Sequence, residues 1–100
     1  MVKVTVLYGP PEDPAAFEDY YAGTHLPLAA KVPDVRRFEA SRVVGTPDGS
    51  EPPYHRIAEL WFDDAAGMEA SMGSEEGRAA VDDIPNFATG GVTVVVSEVD

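Results

Sequence analysis

His25 is the side chain of this sequence best suited to moving a proton, because histidine is the residue type that changes charge near neutral pH. It follows Tyr21 by four residues and Phe17 by eight, so on a continuous helix these three side chains share one face. Leu28 extends the same apolar face, which predicts that the face turns toward the interior. We therefore expect His25 to act as a general acid or base, with Tyr21 donating a hydrogen bond to a substrate oxygen.

Four apolar side chains are the predicted substrate-binding walls of this site: Phe17, Leu28, Trp61 and Phe87. Small-molecule sites are lined mainly by hydrophobic and aromatic groups with a few polar groups between them. For Phe17 and Trp61, core packing is the competing explanation, and their residue types favour it.

A structural role for His25 is also open. Pro27 lacks a backbone N–H and its ring clashes with the preceding helical turn, so it frees a carbonyl upstream of itself. His25 could bind that carbonyl and fix a kink, without taking part in any reaction.

The other titratable residues predict no second site. His55 begins a strand pattern and should be exposed, and two histidines without a recognisable ligand spacing predict no metal site. The adjacent pairs Asp63–Asp64 and Asp82–Asp83 should point apart, so capping or solvation explains them better than paired acid–base chemistry. Gly90–Gly91 leads into a strand and opens no helix, so it is not a phosphate-binding loop. We therefore expect neither a cofactor nor a metal.

Composition narrows the class of protein. With 100 residues and 44% hydrophobic content, the chain is expected to fold as a single domain over residues 1–100. Its net charge of −11 disfavours binding to nucleic acids and to anionic membranes. There is no cysteine, which removes disulfides and thiolate catalysis. The N-terminus has a strand pattern rather than that of a signal peptide, and no apolar run could span a bilayer, so a cytoplasmic protein is expected.

The periodicity changes from strand-like to helical and back, twice along the chain. Val2–Tyr8 alternates as a strand, and Asp13–Pro14 is a typical helix start, with an N-cap followed by a proline. This helix should kink or break near Gly23–Leu26 because of Pro27, and a short second helix should continue through Lys31.

The rest of the chain repeats this alternation around a polar loop at 45–53. The predicted segments are strands at Arg36–Val44, Tyr54–Asp63 and Val92–Val99, helices from Asp64 to Met72 and from Ser74 to about Asp83, and a loop at Ile84–Phe87. The order βαββαβ predicts a ferredoxin-like α+β fold, in which a four-stranded antiparallel sheet carries its helices on one face.

That arrangement leaves one face of the sheet without helices. The strands nevertheless carry apolar residues on both faces, with Ile57 and Trp61 opposite Leu60 and Phe62. An exposed apolar face of this size is unusual for a monomer, and two-fold dimers are the common remedy. We therefore expect a homodimer through the sheet face. A monomer with an amphipathic face is the alternative, because charged and polar residues also lie on the strands.

Three stretches of the sequence resemble the EthD family. The run from Phe17 to Pro33, FEDYYAGTHLPLAAKVP, is similar to the signature helix of that family, and AELWFD, residues 58–63, is similar to its third strand. Ile84-Pro85-Asn86-Phe87 resembles its final loop. Together with the length and the order of elements, the resemblance covers nearly the whole chain.

The resemblance implies a dimeric α+β barrel, in which two ferredoxin-like sheets pack face to face, with the histidine matching His25 in the pocket. The wider superfamily includes cofactor-free monooxygenases, lactone isomerases and haem-degrading enzymes, so it fixes no reaction. Three hypotheses follow: an acid–base or oxidoreductase-type enzyme acting on a small hydrophobic compound, a non-catalytic binding or accessory module, and a haem protein with His25 as axial ligand.

Overall fold

The computed structural model describes all 100 residues and contains one antiparallel sheet of four strands. The strands are β1 (Val2–Tyr8), β2 (Arg37–Arg42), β3 (Arg56–Phe62) and β4 (Val92–Glu98). Their order across the sheet is β2-β3-β1-β4. The predicted ferredoxin-like βαββαβ fold is therefore confirmed. β1 has the predicted bounds, and the other three strands are one to three residues shorter than the sequence pattern predicts.

The helices flank the sheet in two groups. The first consists of α1 (Pro14–Tyr20), a π-helical turn (Tyr21–His25) and α2 (Leu26–Ala29). The second consists of α3 (Ala65–Met72), α4 (Glu75–Asp83) and a 3-10 turn (Ile84–Asn86), which replaces part of the predicted loop. None of these helices has the length and apolar content needed to cross a membrane.

Side-chain caps explain where the longer helices begin. Asp13 accepts a hydrogen bond from the backbone N–H of Ala16, and Asp64 accepts one from Gly67. At the start of α4, the hydroxyl oxygen of Ser74 accepts a hydrogen bond from the backbone N–H of Gly77. Each cap satisfies a backbone donor that has no partner within the first helical turn.

The sequence predicts a kink or a break of the first helix near Gly23–Leu26. The helix does not break there; it widens by one residue instead. The backbone N–H of Leu26 bonds the carbonyl of Tyr21, five residues back, and the residues from Tyr20 to Leu26 keep right-handed helical angles. The missing N–H of Pro27 is thus accommodated by a π-turn, and such turns are frequent at functional sites. The helix ends at Ala29, shorter than the predicted end at Lys31.

The core lies between the sheet and the helices. Its ten members come from β1, β3, the first helix and the end of the second helical group, and they are Val4, Val6, Tyr8, Phe17, Tyr21, Ala58, Leu60, Phe62, Ile84 and Phe87. The even-numbered residues of β1 and β3 face the helices, as the alternation predicts.

Strand β4 is left largely uncovered. Val94 pairs with Val6 and Val96 pairs with Val4, so both lie on the helix side of the sheet, yet they are 52% and 54% exposed. Val95, on the opposite face, is 45% exposed. The helices therefore reach over β1 and β3 but not over this edge, which leaves an apolar strip on the surface.

A close approach between α3 and α4 gives the first prediction. A Cβ atom on Gly77 would lie 2.3 Å from the carbonyl oxygen of Ser71 and 2.6 Å from that of Met72. Because both obstacles are backbone atoms, we expect Gly77→Ala to lower the free energy of unfolding by about 1–3 kcal/mol. Urea denaturation followed by circular dichroism measures this. Gly23→Ala is the control, because nothing lies within 4 Å of its Cβ position; equal stability of the two variants would contradict the prediction.

Candidate active site

A cluster of aromatic rings surrounds His25 at one end of the sheet. The His25 ring lies 4.6 Å from the ring of Phe87 and 5.5 Å from that of Tyr21, measured between centroids. Phe17 stacks on Tyr21 at 5.6 Å, and Tyr8 meets both rings edge-on. These contacts hold the imidazole in one orientation, and only 5% of His25 is exposed.

The imidazole of His25 is paired with a buried carboxylate. Its Nδ1 lies 3.0 Å from Oδ2 of Asp83, the last residue of α4. This hydrogen bond joins the first helix to the second helical group. The alternative in which His25 binds a carbonyl freed by Pro27 is therefore wrong, since its partner is a side chain 58 residues away in sequence.

The Asp83 carboxylate accepts two further hydrogen bonds. Its Oδ1 receives the hydroxyl of Tyr20 at 2.6 Å and the side-chain amide of Asn86 at 3.1 Å. Burial alone would raise the pKa of Asp83, but the hydrogen bonds from Tyr20, Asn86 and His25 outweigh it and hold the pKa below its usual value. Asp83 is therefore an anion at neutral pH, able to orient the imidazole and to stabilise its protonated form.

The second nitrogen of His25 faces the tyrosines. Because Asp83 is an acceptor, the neutral imidazole carries its proton on Nδ1, which leaves a lone pair on Nε2. The hydroxyl of Tyr8 lies 3.5 Å from Nε2, at the outer limit of hydrogen bonding. Nε2 is thus the atom of this site that can take a proton from a bound molecule.

Two tyrosines, Tyr8 and Tyr21, have rings or hydroxyls in contact with His25. Burial, with the negative charge of Asp83 among the lesser causes, raises the pKa of Tyr8. Burial also raises the pKa of Tyr21 to about 12, although the guanidinium of Arg56, 4.7 Å from the ring centre, opposes the rise. The hydroxyl of Tyr21 is buried and has no hydrogen-bond partner in the protein. Both phenols are therefore neutral donors at physiological pH.

A salt-bridged cluster supports the Tyr21 ring from outside. Arg56 donates from Nε to Glu18 at 3.1 Å and also from Nη2, and Nε2 of His55 lies 3.1 Å from the same carboxylate. The sequence predicts an exposed His55, and this is wrong: its side chain is only 16% exposed and meets the edge of the Phe17 ring.

A cavity of about 300 Å³ lies between the sheet and the helices, and we call it the helix–sheet cavity. His25, Tyr21 and Tyr8 form its polar wall, and every other lining side chain is apolar. Those apolar residues are Val4, Val6, Ala29, Val32, Phe38, Ala58, Leu60, Met72, Ala80, Val81, Ile84 and Val94. The volume falls at the lower end of the range for small-molecule sites.

The predicted walls lie outside this cavity. Phe17 and Phe87 pack behind Tyr21 and His25, and both line a separate shallow groove. Leu28 faces the start of α4 rather than the cavity. Trp61 lies on the opposite face of the sheet, where Lys3 and Arg37 lie over its ring, because odd-numbered residues of β3 point away from the helices. Only the two predicted catalytic residues line the cavity.

Sequence reasoning missed Asp83, Tyr8, Tyr20 and Asn86. The interpretation of Asp82–Asp83 as capping or solvated carboxylates is wrong for Asp83, which is 8% exposed. The spacing of Asp83 indicates that it is buried, since Asp83 follows the buried Ala80 by three residues and so lies on the same helical face. An acidic residue on a buried helical face requires a partner, and His25 was a candidate.

Fold and cavity together define the class: a ferredoxin-like α+β protein with a cavity of small-molecule size and a histidine–carboxylate pair in or beside its wall. The family model of the EthD domain matches residues 9–91, and the chain belongs to this family. The predicted resemblance is thereby confirmed.

One curated relative and two solved structures are similar to this chain over nearly their whole length. The chain is 39% identical, over 98% of its length and 94% of the relative's, to an uncharacterized 11.0 kDa protein from the thcB-thcC intergenic region of Rhodococcus erythropolis. A crystal structure of an EthD family protein from Bacillus halodurans is 36% identical, covers 100% of this chain and 99% of its own, and has a TM-score of 0.94. A dimeric ferredoxin-like protein of unknown function from Thermobifida fusca shares the fold at 15% identity and a TM-score of 0.73, with 98% and 90% coverage.

The pairing of Asp83 gives the second prediction. Because its pKa is lower in the folded than in the unfolded protein, the carboxylate stabilises the fold above about pH 4, and this contribution is lost as pH falls through the folded-state pKa. We expect Asp83→Asn to lower the free energy of unfolding at pH 7 by about 1–3 kcal/mol. The difference from the wild type should shrink at pH 3.

Urea denaturation at pH 7, 5 and 3 measures this dependence. Asp82→Asn is the matched control, because Asp82 is the exposed neighbour of Asp83 on the same helix. A loss of stability that is equal for the two variants, or equal at pH 7 and pH 3, would refute the role assigned to Asp83.

Proposed function

We propose that this protein is an acid–base enzyme that acts on a small hydrophobic organic compound in the helix–sheet cavity. The observation that carries this proposal is the His25–Asp83 pair, with Nδ1 held 3.0 Å from a buried carboxylate while Nε2 lies 3.5 Å from the hydroxyl of Tyr8, another residue of the cavity lining. A histidine oriented by a carboxylate is a recurrent general base, because the carboxylate sets the tautomer and stabilises the imidazolium that forms.

The reaction class that fits this wall is proton abstraction next to a carbonyl. Nε2 of His25 takes a proton from the carbon beside the carbonyl, and the electron pair of that C–H bond moves into a C=C bond, which leaves an enolate oxygen. The hydroxyl of Tyr21 would donate to that oxygen; in support, Tyr21 belongs to the cavity lining and its hydroxyl makes no hydrogen bond within the protein. Return of the proton to a different atom would complete an isomerisation. Where the substrate carries a hydroxyl on the carbon beyond the one that is deprotonated, the enolate would expel it by breaking that C–O bond, and the proton held on Nε2 would pass to the departing oxygen to give water, which completes a dehydration.

Hydrogen exchange on a simple ketone tests the proposal without knowledge of the natural substrate. The wild-type protein should accelerate deuterium exchange at the carbon positions beside the carbonyl of 2-tetralone in D₂O, followed by NMR. His25→Gln should lower the catalysed rate at least about 100-fold, because a positioned base contributes a factor of about 10²–10⁴. Asp83→Asn should lower it as well, through loss of orientation.

His55→Gln is the matched control, since His55 is the other histidine of the chain and bonds Glu18 outside the cavity. Its rate should equal that of the wild type. A rate that is unchanged in His25→Gln would remove His25 from the mechanism, and no acceleration by the wild type would remove enolisation as the reaction.

A non-catalytic binding module is the second candidate. The observation that favours it is the hydroxyl of Tyr8, which already lies 3.5 Å from Nε2 of His25 and competes for its lone pair. In that case the cavity shelters a hydrophobic molecule and the His25–Asp83 pair is structural. Saturable binding without exchange in the same samples would support this candidate. The haem hypothesis fits the site poorly, because a haem is larger than a cavity of about 300 Å³.

We also propose that the protein works as a homodimer in the cytoplasm. The exposed valines of β4 support the dimer, as does the dimeric state described for the Thermobifida fusca protein of the same fold. We expect a native mass twice the 10.7 kDa of the chain. Val95→Lys, on the outer face, should shift the protein toward monomer.

Native mass spectrometry and sedimentation measure this state. Val44→Lys is the control, because Val44 is 90% exposed in the loop after β2 and should tolerate the charge without dissociation. A wild-type protein that sediments as a monomer at micromolar concentration would contradict the proposed dimer.

A further inference from the structure

The helix–sheet cavity extends across all four strands of the sheet. The strand residues of its floor are Phe38 from β2, Ala58 and Leu60 from β3, Val4, Val6 and Tyr8 from β1, and Val94 from β4. Neighbouring strands are about 4.8 Å apart, so this floor extends about 14 Å across the sheet. Along the strands the floor is at least two residues long, about 7 Å, because Leu60 pairs with Val4 in one row and Ala58 pairs with Val6 in the next. A volume of about 300 Å³ over such a floor gives a thickness of about 3 Å, roughly that of a flat ring.

Two buried alanines create the hollow. Ala58 lies in the floor, paired with Val6 on one side and Ala40 on the other, and Ala80 of α4 lies among the lining residues on the helix side. Both are less than a tenth exposed, so a larger side chain at either position would occupy the cavity rather than solvent. Ala58 therefore limits the thickness of what the cavity can hold.

The lining also restricts the chemistry of a ligand. No lysine, arginine, aspartate or glutamate lines the cavity, and His25 is its one titratable group apart from the two tyrosines. A permanently charged ligand would bring an unpaired charge into an apolar environment, which is costly. The buried hydroxyl of Tyr21, in contrast, has no acceptor within the protein and gains one from a ligand oxygen.

We infer that the ligand is a neutral, flat molecule of about ten non-hydrogen atoms that carries one carbonyl or hydroxyl oxygen. The size follows from the volume, since about 300 Å³ equals roughly ten liquid-water volumes of about 30 Å³ each. The oxygen binds Tyr21, and Ala58 sets the size limit. This inference rests on the proposed function for the location of the site, but it does not require turnover.

Three probes with one skeleton test the chemical class: 1-naphthol, naphthalene and 1-naphthoate. Binding is measured at pH 7 by NMR titration of the protein. We expect 1-naphthol to bind more tightly than naphthalene, and 1-naphthoate to bind at least about tenfold more weakly than 1-naphthol. Tyr21→Phe should weaken 1-naphthol about fivefold, the value of one hydrogen bond, and leave naphthalene unchanged. Equal binding of the naphthol and the carboxylate, or no effect of Tyr21→Phe, would overturn the inference.

Size is tested with Ala58→Leu, which should lose 1-naphthol binding at least about tenfold while the smaller phenol still binds. Ala66→Leu, at an exposed position of α3, is the matched control and should bind like the wild type. If Ala58→Leu does not fold, the wild type alone decides the point: the three-ring 2-anthrol should bind at least about tenfold more weakly than 1-naphthol. Equal binding of these two ligands would overturn the size limit.

The exchange assay separates this inference from the proposed function. Discrimination among the probes without any exchange of 2-tetralone would reject the enzyme and leave the ligand class standing. Exchange that depends on His25, together with equal binding of 1-naphthol and 1-naphthoate, would reject the ligand class and leave the enzyme standing.

Discussion

The hydrogen bond between His25 and Asp83 is the interaction on which the rest of the site depends. It joins the first helix to the end of α4 across the top of the core, and it buries a carboxylate that apolar surroundings alone could not hold. Tyr20 and Asn86 complete the environment of the anion. This hydrogen bond thus fixes the relative position of the two helical groups. It also sets the imidazole tautomer that leaves the lone pair on Nε2, so one contact both stabilises the fold and determines which nitrogen can accept a proton.

The π-turn determines where the imidazole points. In an uninterrupted α-helix, Pro27 would leave one backbone hydrogen bond unmade, and its ring would clash with the carbonyl of Gly23. The wider π-turn accommodates both the missing N–H and the ring. His25 is the last residue of this turn and lines the cavity, whereas Leu28, in the α-helical turn that follows, faces the start of α4.

Local patterns were enough to predict the elements and the two polar residues of the first helix. The alternation in β1 and β3 and the helical spacing of Phe17, Tyr21 and His25 are visible within a few residues of sequence. The same alternation predicts the position of Trp61, since it places this side chain on the face opposite Leu60 and Phe62, away from the helices. The contact between His25 and Asp83 could not be predicted in this way, because the two residues are 58 positions apart and meet only when the two helical groups pack together.

A cavity in so small a domain has an energetic consequence. A chain of 100 residues buries a modest fraction of its surface, and a hollow of about 300 Å³ removes packing contacts that the core would otherwise make. Filling the hollow with leucine at Ala58 or Ala80 would recover apolar contact, so folding alone gives no reason for alanine at both positions. The exposed Val94 belongs both to the uncovered edge of β4 and to the lining of the cavity. The uncovered strip of β4 and the wall of the cavity therefore share this side chain, so the cavity borders the surface at this edge of the sheet.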